Sequence, residues 1–124
     1  MDEQPKPEPG CEPEDHPRLN PPPLDQAAVQ RASRLFRALG DPARLRLAVR
    51  LAESRSCVTE LAAAEGEELS TISQRLRILR SENIVVGKRR GKHIDYVLAD
   101  RHISELVLDA LAHSIEEKEE TDYE

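Results

Sequence analysis

Two imidazoles and two carboxylates recur with regular spacing near the carboxyl end of the chain, as Asp100-x-His102 and His113-x-x-Glu116. Nitrogen and oxygen donors of this kind suit Zn(II), Co(II) or Ni(II) at four-coordination. On a helix, His113 and Glu116 share a face because they are three residues apart. His102 and His113 are eleven apart, which at about 100° per residue is about 20° past three full turns, so they also share a face. Along the axis, however, they stand roughly 16 Å apart. One ion with ligand bonds near ~2 Å cannot bridge that distance. Either the four are unrelated polar residues on a helix face, or a metal is shared between two chains. Antiparallel final helices about a two-fold axis would place Asp100 and His102 opposite the partner's His113 and the partner's Glu116. That symmetry generates two identical sites. The neighbouring stripe Ile103, Leu106, Val107, Ala110 and Leu111 offers an apolar seam for such a pair.

A second donor set involves the only two cysteines. Cys57 and Glu60 stand one turn apart at the start of a short helix, while Cys11 and His16 lie in an amino-terminal arm. An arm from either chain could fold over and complete a thiolate-containing site, with Asp15 as an alternative ligand to Glu60 or His16. The other reading makes Cys57 a small buried apolar residue and leaves Cys11 and His16 incidental. His93 reads as a structural or phosphate-contacting residue.

The elements that must position these groups are legible in the pattern. Asp25 caps a helix over about 26–39, with Ala28, Val29, Ala32, Leu35, Phe36 and Leu39 at three- and four-residue spacing. Gly40 ends it, and Asp41-Pro42 restarts a helix to about Glu53, with Asp as N-cap and Pro in the first turn. A short helix near 58–65 breaks at Gly66. A fourth helix covers about 69–81, with Leu69, Ile72, Leu76 and Leu79 on one face. The period then changes: 84–86 and 93–98 read as strands around the basic, glycine-flanked turn 87–92. A last helix covers about 101–117. The fold class is therefore mainly α with a small β-hairpin, in the order α-α-α-α-β-β-α.

A short helix, a tight turn and a second helix form the helix-turn-helix order, whose second helix enters the major groove. Here that helix presents Ser70, Thr71, Ser73, Gln74 and Arg75, which can bond bases or phosphates. The hairpin behind it is a wing, offering Lys88, Arg89, Arg90 and Lys92 to phosphates or the minor groove. The partner these groups imply is double-stranded DNA.

Charge placement supports this reading although the chain carries net charge −6. Residues 1–25 carry net −5, residues 26–98 net +6, and residues 99–124 net −7. A basic middle between acidic ends decides what the surface attracts more than the total does. Eight of the nine prolines fall in residues 1–23, so 1–24 reads as a disordered acidic arm and 118–124 as an acidic tail flanking a domain over 25–117. The domain is small, and its core is built from Leu, Val, Ile and Ala, so dimerisation would help it bury enough surface. No apolar run approaches the roughly 20 residues of a membrane span, and no signal-type segment opens the chain, so a cytoplasmic location is expected. Two cysteines are too few for a disulfide scaffold. No nucleophile-and-base motif is present, and four protein ligands on a seam leave no open position for hydrolytic water, so an enzyme is not expected.

The stretch Phe36-Arg-Ala-Leu-Gly-Asp41-Pro42-Ala-Arg44-Leu45-Arg46-Leu47 resembles the opening signature of the ArsR/SmtB family of bacterial winged-helix metal sensors. The resemblance continues through Cys57-Val-Thr-Glu60-Leu61, the run 73–80, the wing 91–96 and the final helix. It implies a homodimer, a palindromic operator, and release from DNA on binding Zn(II), with Co(II), Cd(II) or Ni(II) as other effectors. It also implies the shared D-x-H and H-x-x-E site, and in some zinc sensors a site between the arm and Cys57. Thr59 stands where sensors of cadmium, lead or arsenic commonly carry a second Cys, which argues against that type of sensor. A departure is Glu67-Glu68-Leu69, where many relatives carry a Ser; two carboxylates there restrict which phosphates can be approached. The alternatives are a winged-helix regulator responding to thiol oxidation or another ligand, and a metal-buffering protein.

Overall fold

The computed structural model describes residues 23–117. Five helices and one hairpin follow in the order α1 (Gln26–Leu39), α2 (Pro42–Glu53), α3 (Val58–Glu65), α4 (Leu69–Ser81), β1 (Val85–Arg90), β2 (His93–Leu98) and α5 (Arg101–Glu117). The expected tail 118–124, and all of the expected arm but its last two residues, lie outside the described residues.

Local chemistry sets the boundaries. The Asp25 carboxylate accepts the Ala27 N–H at 3.3 Å and caps α1. The Asp41 carboxylate accepts the Arg44 N–H at 3.0 Å, with Pro42 in the first turn where its missing N–H costs nothing. Arg44 then donates from Nε to the Ala38 carbonyl at 2.7 Å, at the carboxyl end of α1. The Asp41-Pro42-x-Arg44 segment thus starts one helix and closes the preceding one, which fixes the angle between them. Gly66 ends α3 at φ 67°, a left-handed conformation that costs glycine little. After α4, Asn83 turns the chain at φ 58°, a region Asn tolerates better than most residues.

β1 and β2 pair antiparallel, from Val85 opposite Leu98 to Arg90 opposite His93. Only Gly91 and Lys92 remain as the turn, and Gly91 supplies φ 63° at the first turn position. The expected six-residue basic turn is therefore shorter, and Lys88, Arg89 and Arg90 belong to β1. The ladder continues through these polar residues because backbone pairing in a hairpin does not require apolar side chains. An isolated bridge ties the wing to the body, with Ser56 and Tyr96 exchanging N–H···O bonds of 3.2 and 2.8 Å.

The core gathers Leu47, Ala48 and Leu51 from α2, Leu61 and Ala62 from α3, and Ile72, Leu76 and Leu79 from α4. Ile84, Val85 and Tyr96 join from the hairpin, and Ile103 and Val107 from α5. Three apolar expectations change. Leu69 is 53% exposed, because the first residue of α4 lies beyond the edge of the core. Val29, Ala32 and Phe36 of α1 face outward, since only the carboxyl end of that helix, with Ala38 and Leu39, reaches the core. Ile103 and Val107 are committed to the chain's own interior and cannot form a seam. Leu106 is half-buried, while Leu108, Leu111 and Ile115 remain exposed.

Candidate metal centre and nucleic-acid interface

All four expected donors at the carboxyl end are exposed and lie on or beside α5. Asp100 is the N-cap: its Oδ1 accepts the Ile103 N–H at 3.0 Å. The second carboxylate oxygen has no hydrogen-bond partner among the described residues. His102 Nδ1 stands 3.8 Å from Asp100 Oδ1, so the imidazole and carboxylate form one adjacent pair. His113 and Glu116 occupy the last turns of the same unbroken helix. Eleven residues of α-helix separate the histidines by roughly 16 Å. Among the described residues, no three His, Cys, Asp or Glu side chains come together within one chain in a way that could hold a metal ion. The arrangement is two solvent-facing half-sets, each with one imidazole and one carboxylate, a donor chemistry that fits zinc and its neighbours.

Asp100 also borders another functional element. It lines a hollow between α1, α4 and α5 together with Ser81, Glu82 and Asn83, the residues that end α4. Arg34 of α1 crosses the same hollow to Glu82 at 3.4 Å. One half-set thus borders the same hollow as the carboxyl end of the helix expected to read DNA.

The second donor set is only partly described. Cys57 is half-buried at the start of α3, and Glu60 Oε1 accepts its N–H at 3.0 Å. Cys11 and His16, with the alternative ligand Asp15, lie outside the described residues. His93 lies on the same shallow hollow as Cys57, Thr59 and Tyr96. Sequence spacing could not show this proximity, because the hairpin folds back across the start of α3.

On α4, Ser70, Ser73 and Gln74 are exposed as expected, and Arg77 joins them on the same face. The helical spacing 70, 73, 74, 77 is the signal that would have singled out Arg77. Thr71 and Arg75 turn toward the body and line a polar hollow with Asp41, Ala43 and Arg44. On the wing, Lys88, Arg89 and Lys92 are exposed. Arg90 differs from its neighbours. It forks onto Asp95, with Nε at 2.6 Å and Nη2 at 3.1 Å. The Asp95 side chain is 2% exposed, and Arg55 stands 3.9 Å away. The Arg90 guanidinium holds the Asp95 carboxyl below its ordinary range, and the carboxylate in turn raises Arg90. Arg90, expected to meet phosphates, also neutralises a buried carboxylate and braces the wing, while its own side chain stays 58% exposed.

Five helices with a hairpin behind the helix-turn-helix, basic groups on the outer helix face and on the strand, define the winged helix-turn-helix class. Residues 41–86 match the family model described as bacterial regulatory protein, arsR family. The chain belongs to the ArsR family. It is 39% identical over 97 residues to the HTH-type transcriptional repressor SmtB of Mycobacterium tuberculosis, covering 78% of this chain and 72% of that protein. It is 46% identical over 92 residues to the HTH-type transcriptional regulator NmtR of the same organism, covering 74% and 77% respectively. Among solved structures, the solution structure of apo-NmtR superposes with TM-score 0.66 at 34% identity, over 93% of this chain and 94% of that one. The homodimeric winged helix-turn-helix DNA-binding domain of a possible ArsR-family regulator from Mycobacterium bovis gives TM-score 0.73 at 26% identity, over 79% and 91%.

Proposed function

We propose that this chain is a metal-responsive transcriptional repressor, bound to operator DNA as a metal-free homodimer and released by Zn(II). Release would derepress genes for metal efflux or sequestration. Co(II), Cd(II) and Ni(II) are alternative effectors of the same site. The observation that carries this reading is the split donor set: two exposed pairs on or beside one helix, too far apart for one ion, with Asp100 on the hollow that the end of α4 also lines. An antiparallel partner helix brings the partner's His113 and the partner's Glu116 to Asp100 and His102. Its similarity to a transcriptional repressor and a transcriptional regulator supports the regulatory part. The homodimeric form of the similar domain supports the assembly.

The exposed apolar surface supports a partner of the same kind. Val29 and Phe36 on α1 and Leu108, Leu111 and Ile115 on α5 are all more than a third exposed. Phe36, Leu39, Leu45, Leu106 and Ala110 border an apolar cleft between α1, α2 and α5. Surfaces of this type mark protein interfaces.

In this reading the metal supplies a fixed link between the two final helices. The chain's own residues do the rest. Asp100 keeps one oxygen on the helix cap and offers the other. Exposed Ser70, Ser73, Gln74 and Arg77 meet DNA from α4, while Thr71 and Arg75 approach it from the hollow beside them. Lys88, Arg89 and Lys92 take phosphates beside the groove. DNA requires half-sites about 34–36 Å apart. A change at Asp100 reaches α4 through the shared hollow and alters that spacing. A partner imidazole arriving beside Asp100 also comes near the Asn83 turn, where a second-nitrogen hydrogen bond to backbone would carry the signal. Coupling is reciprocal, so operator DNA weakens metal binding by the same factor.

The test is a zinc titration of purified protein on a duplex from the region upstream of its own gene, beside His102→Gln. Wild type is expected to dissociate as zinc rises, whereas His102→Gln binds the duplex but holds through the titration. Release of the variant at the same zinc concentration would place the sensor elsewhere, with Cys57 and Glu60 the first candidates.

A further inference from the structure

Arg75 is the one cation of α4 whose guanidinium is half engaged and half orphaned. Its Nη2 donates to Glu67 Oε2 at 3.4 Å, with side-chain exposures of 22% for Arg75 and 36% for Glu67. Its Nη1 is buried and has no hydrogen-bond partner among the described residues. Charge-assisted bonds run nearer ~2.8 Å, so one long contact leaves most of the fork unused. The other charged groups around the hollow are already committed: Asp41 caps α2, and Arg44 donates to the end of α1. Thr71 and Gln74 complete the rim.

We infer that Glu67 is an internal competitor for the phosphate-binding fork of Arg75, and that it sets how tightly the repressor holds DNA. The inference rests on the DNA-binding reading above and deepens it. A DNA phosphate approaching the hollow competes with Glu67 for Nη2, and once the side chain swings away from the carboxylate the orphaned Nη1 is freed to make the second bond. Bidentate Arg–phosphate pairing is the stronger geometry. The Glu67 pair is single and partly solvated, and pairs of that kind hold weakly. The phosphate therefore displaces the carboxylate. Glu67 acts through Arg75 and is a positioning residue. Glu68, its neighbour, is the N-cap of α4 without a side-chain cap bond and makes no ion pair with Arg75. It carries the same charge and so serves as the control.

The experiment measures fluorescence anisotropy of the upstream duplex and a random duplex of equal length. The proteins are wild type, Glu67→Gln, Glu68→Gln, Arg75→Gln and the double variant Glu67→Gln/Arg75→Gln. Glu67→Gln is expected to tighten binding about fivefold for a dimer, one released surface pair per half-site. Glu68→Gln changes it less. Arg75→Gln weakens both duplexes and flattens the log–log salt slope by about 0.9 per protomer. In the Arg75→Gln background, Glu67→Gln has no further effect. Arg75→Lys, which keeps the charge and loses the fork, gives the same cycle if Arg75→Gln folds poorly by thermal melt. A Glu67→Gln gain that matches Glu68→Gln, or that persists without Arg75, is general repulsion and overturns the inference alone. A wild-type protein without preference for the upstream duplex overturns the operator reading, and this inference with it.

Discussion

Glu65 received no role from the sequence, yet it is among the most firmly held side chains in the domain. It ends α3 with its side chain 3% exposed, between Arg46 Nε at 2.9 Å and Arg50 Nε at 2.6 Å of α2. The two arginines hold its carboxyl below its ordinary value of 4.5. The clamp fixes the first helix of the helix-turn-helix to the body, so α4 inherits a defined exit angle. Because the folded carboxyl titrates lower than the unfolded one, its stabilisation is full above about 4.5 and is lost as pH falls through the folded value. Glu65→Gln should lower stability by about 1.5–3 kcal/mol near neutral pH, the range typical of hydrogen bonds to charged groups. Urea denaturation at several pH values checks this. The gap between wild type and variant should close on acidification; a gap that widens would refute the role of the charge.

Within the wing, four cations divide into two kinds. All four are exposed, but Lys88, Arg89 and Lys92 make no ion pair among the described residues, while Arg90 covers the buried Asp95. The sequence makes all four look alike, since a run of basic residues carries no label for which one is paired. Lys88→Gln or Arg89→Gln should weaken operator and random duplexes by equal factors. Each should also flatten the salt slope by about 0.9 per protomer, with the thermal melt unchanged. Arg90→Gln should instead lower the melting temperature, because it strips Asp95 of its counter-charge. Anisotropy across a salt series, read beside thermal melts, separates the two kinds. An Arg90→Gln variant that melts like wild type would return that residue to the phosphate-contacting set.

In the dimer proposed above, each metal site would draw its donors from two chains. A dimer that mixes His102→Gln with His113→Gln has one complete site and one lacking both imidazoles. Co-expressed, differently tagged chains should give a heterodimer that binds about one tight zinc ion, as the two-fold arrangement requires. Each variant homodimer should bind none tightly, because every site has lost an imidazole. A chelator-competition titration reads the stoichiometry. Tight zinc in either homodimer would show that the pairs are not shared as proposed.

The sequence by itself determined the order and most boundaries of the elements, because caps, glycines and hydrophobic period are local signals. Asp25, Asp41-Pro42, Gly66 and the change of period after α4 act within a few residues of where they stand. It also determined that the two histidines of α5 share a face yet lie too far apart for one ion, since that follows from helix geometry alone. Tertiary structure decided which apolar residues were spent inside: Ile103 and Val107 are buried in the core, leaving Phe36, Leu111 and Ile115 outside. It decided that Arg90 belongs to Asp95 and Glu65 to Arg46 and Arg50, because ion pairing across elements depends on where two backbones cross. It set Asp100 on one hollow with the end of α4 and paired Arg75 with Glu67, arrangements across turns whose angles no periodicity encodes.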